Sequence, residues 1–113
     1  MSLSAKQRLF SYHVHKLIEF IYQCGWSISI GHVWRSEEEQ RRLVEAGKSK
    51  TMKSAHLNRL AIDLNFFDPQ SNLVYDKEYL QRFGDYWEGL DPKNTWGGNW
   101  ESFTDTPHFE RRL

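Results

Sequence analysis

The chain has 113 residues, 39% of them hydrophobic, 15% aromatic and 27% charged, which is the composition of one globular domain, residues 1–113, with a core of its own. Fifteen basic residues balance fifteen acidic ones, so the overall charge gives no case for a nucleic-acid or anionic-membrane partner. The single cysteine, Cys24, excludes an internal disulfide, and no apolar run is long enough to insert stably into a bilayer.

The first part of the chain predicts a helix, a strand and a second helix. Ser4 is a suitable N-cap for a helix whose apolar residues recur at helical spacing as far as Gly25. Alternating apolar residues over 26–30 then predict a strand. The S-x-x-E capping box that starts at Ser36 opens a second helix, which ends at Gly47.

The remainder predicts two further strands and a third helix. The polar segment 47–55 is a loop, and a strand follows from Leu60, with apolar residues on one face and Ala61, Asp63 and Asn65 on the other. A turn at 68–72 leads to a helix over about Lys77 to Leu90, and the chain closes with the aromatic, glycine-rich TWGGNW and a last strand. This order of elements predicts a small α+β domain with helices beside a sheet.

The segment SAHLNRLAIDL, residues 54–64, sets a carboxylate, Asp63, in an otherwise apolar strand. Burial of an unpaired carboxylate is unfavourable, so we expect it to be paired, hydrogen-bonded or bound to a metal. His56 precedes it by seven positions, which would place the two side chains on opposite faces of one straight strand. The pair at 58–59 offers a bend that would bring them to the same side, and His108 is a third candidate from the end of the chain.

Two imidazoles and one carboxylate are a typical ligand set for catalytic zinc, bound at about 2.0–2.2 Å with water in the fourth position. Zinc lowers the pKa of that water to about 7 and polarises a carbonyl. Asp105, on a turn-prone D-T-P run before His108, is a candidate base for the water. Arg35, at the end of the first strand, is a candidate for stabilising an oxyanion. The alternative from spacing alone is that the three ligand candidates make separate surface hydrogen bonds.

Other polar residues allow two interpretations. His13 and His15 lie about 200° apart on a helix and cannot share one metal, so we expect both at the surface. Lysines at 48, 50 and 53 fit a solvated loop, or a wall that meets an acidic peptide such as one containing D-glutamate. Glu110 fits a surface ion pair, or a carboxylate that orients the imidazole of His108.

Three segments resemble motifs of the zinc D-alanyl-D-alanine carboxypeptidase family, which includes vancomycin-resistance dipeptidases and the L-alanyl-D-glutamate peptidases of phage endolysins. SAHLNRLAIDL is similar to its S-x-H-x-x-x-x-x-x-D motif, and WGGNWESFTDTPHFE to a second motif in which an acidic residue precedes P-H-F/Y by two. VWRSEEEQRRL is similar to its arginine-bearing strand end and following helix. The resemblance covers roughly residues 26 to 112 and implies a hedgehog/D-Ala-D-Ala peptidase-like architecture, a small antiparallel sheet flanked by helices.

The resemblance implies a role for each candidate. His56, Asp63 and His108 would hold Zn²⁺, Asp105 would be the catalytic acid/base, and Arg35 would stabilise the reacting carbonyl oxygen. The chain departs from the family pattern at 58–59, where Asn-Arg replaces the more usual aromatic-glycine pair.

Two further residues are candidates for contact with substrate. Ser54 matches a serine that lies near the substrate in the family. Trp100, in the TWGGNW segment, would form a substrate wall, or would anchor a loop whose glycines supply tight turns.

The function that these features predict is a zinc metallopeptidase that hydrolyses peptidoglycan stem peptides, specifically an L-alanyl-D-glutamate endopeptidase of phage or prophage endolysin type. A D-alanyl-D-alanine carboxypeptidase and a catalytically inactive wall-peptide-binding module are the alternatives. We expect a monomer that is made in the cytoplasm without a signal peptide and reaches the cell wall through a membrane lesion.

Overall fold

The computed structural model describes all 113 residues. Its elements follow in the order α1 (Leu3–Gln23), β1 (Ser27–Ile30), α2 (Glu37–Glu45), β2 (Ala61–Phe67), β3 (Leu73–Val74), α3 (Lys77–Leu90), β4 (Asn94–Trp96) and β5 (His108–Arg111). Short 3₁₀ helices at Ala55–Asn58 and Gly97–Asn99 precede β2 and follow β4. The predicted α+β class is confirmed.

The strands form one antiparallel sheet in the order β1-β2-β5-β4, with β3 paired to the end of β2. The central strand β2 therefore contacts both β1 and β5. In the β2–β5 register Asp63 lies directly opposite His108, so the sheet places these two side chains on the same face.

Helices α1 and α3 cover the other face of the sheet. The alternation predicted for β2 decides which side they cover, because Ile62, Leu64 and Phe66 point into the core while Asp63 points away. The buried cluster comprises Phe10, Leu17, Ile21, Leu60, Ile62, Leu64, Phe66, Leu80, Phe83, Trp87, Trp96 and Phe109. The face of the sheet that α1 and α3 do not cover carries polar side chains, among them Asp63 and His108. None of the three helices combines the length and apolar character needed to cross a membrane.

Two local predictions were wrong, and two short strands were not predicted. Helix α1 begins at Leu3 because the side chain of Ser2, not that of Ser4, accepts a hydrogen bond from the Ala5 amide at 3.1 Å. His13 is 6% exposed, since it shares the buried stripe of α1 and its ring meets Trp87 edge-on. Strands β3 and β4 were not predicted, because two or three residues are too few to show alternation.

Helix α3 packs against the indole of Trp96 at Gly84. A Cβ at Gly84 would fall well inside contact distance of the Trp96 ring, which is fully buried and donates its Nε1 hydrogen to Thr106 O at 2.8 Å. We expect Gly84→Ala to lower the free energy of unfolding by about 2 kcal/mol, since overpacking outweighs the gain of about 1 kcal/mol in helix propensity.

Thermal denaturation should show a melting temperature lower by roughly 10 °C for this variant. Gly89→Ala in the same helix is the matched control, because a Cβ there meets nothing within 4 Å. Equal stability of the two variants would contradict the proposed close packing of α3 on Trp96.

Candidate active site

The side chains of His56, Asp63 and His108 meet on the uncovered face of the sheet. One ligand atom from each lies within 4.8 Å of the other two. Asp63 Oδ1 is 3.3 Å from both His56 Nε2 and His108 Nδ1. Both imidazoles are buried, whereas the carboxylate is partly open to solvent. The structure thus brings together three groups that are 7 and 45 positions apart in the chain.

The bend that turns His56 toward Asp63 lies at residues 58–59. His56 sits in the 3₁₀ helix Ala55–Asn58, and the next residue, Arg59, is left-handed with φ 56°. His56 Nδ1 lies 2.9 Å from the carbonyl oxygen of Val33, so the ring donates its proton to the backbone there. Nε2 then carries a lone pair that points toward Asp63, and this nitrogen has no hydrogen-bond partner although it is buried.

His108 is held from both sides of its ring. Nδ1 faces Asp63, and Nε2 lies 2.6 Å from Glu110 Oε1. Residues 108 and 110 are two apart on β5 and so share a face of the sheet. Glu110 therefore accepts the Nε2 hydrogen and leaves Nδ1 directed toward the carboxylate. His56 thus directs its Nε2, and His108 its Nδ1, toward Asp63 Oδ1.

The pKa values of this cluster reflect the close contacts. Burial would raise the pKa of Asp63, but the imidazoles of His108 and His56 hold it well below its usual range. Burial would lower the pKa of His108, but Asp63 and Glu110 raise it to about 9. The carboxylates on either side of His108 thus stabilise the protonated form of its ring.

The donor set fits a small divalent cation. Two ligands of a tetrahedral ion at about 2.0–2.1 Å are about 3.3–3.4 Å apart, which matches both separations measured from Asp63 Oδ1. The buried, unpartnered Nε2 of His56 supports the same interpretation, because two facing acceptors are unfavourable unless a proton or cation lies between them. Imidazole and carboxylate ligands suit zinc among the common divalent ions.

Arg35 lies at the rim of this cluster with its side chain 10% exposed. Its Nη2 is 3.7 Å from Asp63 Oδ2 and 2.9 Å from His32 Nδ1. Its Nη1 donates to Gln40 Oε1 at 2.7 Å, and Gln40, on α2, is fully buried. The guanidinium is therefore fixed in position, and its Nε carries no partner.

Asp105 approaches the cluster from the segment between β4 and β5. Burial raises the pKa of its carboxyl above the ordinary value, and the nearby charge of Asp63 adds to this rise. Its amide donates to Gly97 O at 2.9 Å, and its carbonyl accepts from the His108 amide at 3.1 Å. A Cβ at Gly97 would collide with the Asp105 backbone. The first glycine of TWGGNW thus permits a close approach of two backbones, whereas the sequence had suggested a tight turn.

The two candidate substrate residues also border the cluster. Ser54 caps the 3₁₀ helix, since its Oγ accepts from the His56 amide at 3.2 Å. The indole of Trp100 lies 4.9 Å from the His108 ring, centroid to centroid. Ser54 thus has a structural role beside any contact with substrate.

All seven candidates line one cleft of about 500 Å³. The seven are Arg35, Ser54, His56, Asp63, Trp100, Asp105 and His108. Charged side chains of Lys48, Lys50, Lys53 and Glu110 line it as well. The half-buried carboxyl of Asp105, a fixed guanidinium and a candidate metal position in one open cleft are a set suited to hydrolysis of a carbonyl compound.

Two residues with evident roles were missed or undervalued in the sequence. Glu110 could have been placed beside His108 from strand alternation alone, because the two are separated by one residue. Gln40 carries no such signal, since it lies in the charged run EEEQRR and only the fold shows that it is buried against Arg35.

Comparison with known proteins places the chain among peptidases. The model of a family described as D-alanyl-D-alanine carboxypeptidase matches residues 47–111. An L-alanyl-D-glutamate peptidase of Listeria phage A118 is 30% identical over 99 residues, which cover 84% of this chain and 34% of that protein. The peptidoglycan L-alanyl-D-glutamate endopeptidase CwlK of Bacillus subtilis (strain 168) is 29% identical over 102 residues, which cover 76% of this chain and 61% of that protein.

A solved structure has the same fold. The L-Ala D-Glu endopeptidase ChiX of Serratia marcescens superposes with a TM-score of 0.62 at 28% sequence identity, over 75% of this chain and 66% of that one. The chain thus spans about a third of the Listeria phage protein and about three-fifths of the Bacillus protein.

Proposed function

This chain belongs to the peptidase family described as D-alanyl-D-alanine carboxypeptidase, and on that premise we propose that it is a zinc-dependent peptidase acting on peptidoglycan stem peptides. We further propose that it cuts the bond between L-alanine and D-glutamate and that residues 1–113 form one catalytic domain. The observation that carries the proposal is the convergence of His56, Asp63 and His108 in a cleft shared with Asp105 and Arg35. The names of both curated relatives and of the solved neighbour support the choice of bond.

His56 Nε2, Asp63 Oδ1 and His108 Nδ1 would hold the zinc ion, since these are the atoms that face one another. A bound zinc ion supplies Lewis-acid chemistry, in that it acidifies water and polarises a carbonyl group. Glu110 and the Val33 carbonyl each accept a hydrogen from the ring nitrogen that points away from the metal position, so the other nitrogen of each histidine is the one that would serve as ligand.

Asp105 would act as the general base and then as the general acid. Its burial and raised pKa make it a stronger base than an ordinary aspartate, so it can take a proton from the attacking water. It can then pass that proton to the leaving amine. Arg35 would stabilise the negative charge that develops on the carbonyl oxygen, because its guanidinium is held beside the cluster with Nη2 3.7 Å from Asp63 Oδ2. Ser54 and Trp100 would contact the peptide as part of the cleft wall.

The reaction is tested by identifying the ends that the protein creates. Purified peptidoglycan is digested with the zinc-loaded protein, and the fragments are analysed by mass spectrometry. We expect new L-alanine carboxyl termini and new D-glutamate amino termini, and no reaction in excess chelator. Release of free D-alanine would instead identify the carboxypeptidase that the family description names. An absence of any new terminus would favour a wall-peptide-binding module.

Zinc affinity should depend on pH through His108. A metal ion at Nδ1 displaces a proton, and the pKa of His108 is raised to about 9, so that proton is present at neutral pH. We expect the apparent association constant for zinc to rise about tenfold per pH unit between about pH 6 and about pH 8. Chelator competition measures this slope. An affinity that does not change with pH would contradict displacement of a proton from the site.

The last part of the proposal concerns the oligomeric state of the protein, its origin and its route to the cell wall. We propose that it acts as a monomer of phage or prophage origin and that it reaches the wall through a membrane lesion, which the Listeria phage relative supports. Sedimentation of the zinc-loaded protein tests the first point.

A further inference from the structure

Three lysines without ion-pair partners line one wall of the cleft. Lys48, Lys50 and Lys53 lie on the segment between α2 and the 3₁₀ helix that carries His56. All three are exposed, and none forms an ion pair with a carboxylate of the chain. We call these three residues the lysine wall.

The backbone that carries the lysine wall is fixed relative to the reacting groups. The buried Gln40 side chain donates from Nε2 to Ser49 Oγ at 2.8 Å and to Thr51 O at 2.5 Å. The same carboxamide accepts from Arg35 at 2.7 Å. One buried group thus ties both the lysine-bearing loop and the guanidinium to α2. Hydrogen bonds from Gln40 therefore hold the loop that carries the lysine wall next to the site.

The carboxylates of the cleft do not neutralise the lysine wall. Asp63 is surrounded by two imidazoles and Arg35, and Glu110 pairs with His108. Asp105, the third carboxylate of the lining, forms no ion pair with a lysine. The ammonium group of Lys50 lies 5.5 Å from the ring centroid of Phe103, another residue of the cleft lining. The three lysines therefore leave positive charge at the edge of the cleft that no carboxylate of the chain pairs with.

A glutamate whose nitrogen is acylated by alanine, and whose chain continues through one carboxyl, keeps the other carboxyl free unless it is amidated. We propose, on the basis of the function proposed above, that the lysine wall is a subsite for this free carboxylate. The protein then selects stem peptides with an unmodified D-glutamate over those in which this carboxyl is a carboxamide.

Each ion pair at an exposed position contributes little binding free energy, so we expect the preference for the free acid to depend on all three lysines. We expect the peptide with the free acid to bind about tenfold more tightly than its carboxamide counterpart. The preference should shrink as salt is added, because exposed charges are screened.

Binding to a protein that does not cut the peptide provides the test. Zinc-loaded Asp105→Ala protein is titrated by calorimetry with an acyl-L-alanyl-D-glutamyl peptide as the free acid and as the carboxamide. The same titrations are made after Lys48→Gln, Lys50→Gln and Lys53→Gln are added together. Lys93→Gln is the matched control, because it removes an exposed lysine that does not line the cleft.

The free acid should lose about tenfold in affinity in the triple variant, while the carboxamide and the Lys93→Gln control remain unchanged. Equal affinity of the two peptides, or a preference that survives the triple substitution, would overturn the inference. If only an acyl-D-alanyl-D-alanine peptide depended on the lysine wall, the subsite would serve a chain terminus and the inference would be wrong. Cleavage by the unsubstituted protein is scored separately, so failure of the proposed reaction would be recognised independently of binding.

Discussion

Asp105→Ala is expected to abolish nearly all hydrolysis while zinc remains bound. A positioned general acid or base contributes about 10²–10⁴-fold to a rate. Asp105 is a half-buried carboxyl in the cleft and forms no ion pair with the three ligand candidates. We expect kcat on a defined stem peptide to fall by about 10³-fold, with little change in KM or zinc content. Steady-state kinetics and metal analysis of the purified variant measure these quantities.

Glu101→Ala is the matched control for this substitution. Glu101 is exposed in the same segment and does not line the cleft, so its loss should leave kcat unchanged. Hydrolysis at the original rate by Asp105→Ala would exclude the proposed base. Loss of zinc from that variant would mean that Asp105 is a ligand instead.

Asp63→Asn is expected to remove zinc binding. Asp63 Oδ1 is the atom that both imidazoles face, and a neutral amide in its place loses the charge that stabilises a cation. Loss of a residue that only hydrogen-bonds to a metal ligand lowers metal affinity by about 10–100-fold. Because Asp63 is itself a proposed ligand, we expect Asp63→Asn to lower zinc affinity by more than about 100-fold. Chelator competition gives the affinity directly.

Thermal unfolding provides a second measurement for the same variant. Zinc at about 100 times its dissociation constant should stabilise the unsubstituted protein by about 2.7 kcal/mol, or roughly 10 °C in melting temperature. Asp63→Asn should show no such shift, although its melting temperature in chelator shows whether the fold is intact. Asp85→Asn, an exposed position on α3, should retain the full shift. A zinc-dependent shift in Asp63→Asn would contradict the proposed ligand.

The longer elements could be predicted because their signals are local. The helix over about Lys77 to Leu90 is observed at those residues, and the apolar alternation from Leu60 identifies the buried face of β2. Strand β4 escaped prediction because its residues Asn94–Trp96 are paired only through β5, which is distant in sequence. Such pairings depend on tertiary contacts that a short window does not contain.

The site was partly predictable for a similar reason. The sequence indicates His56 and Asp63 as candidates, but their approach depends on the left-handed backbone of Arg59, a conformation that few side chains favour. The choice of ring nitrogen on His56 depends on Val33, which only the fold brings into contact with it. The role of Gln40 depends on burial alone.

The pairing of Asp63 with His108 across β2 and β5 makes the complete set of donors a product of tertiary folding. Their separation is set by backbone hydrogen bonds between segments 45 positions apart, so a chain that has not yet docked its final strand offers an incoming ion only an incomplete set of donors. Metal uptake should therefore accompany closure of the sheet, and a chain whose β5 is not yet paired with β2 should lack the assembled metal site.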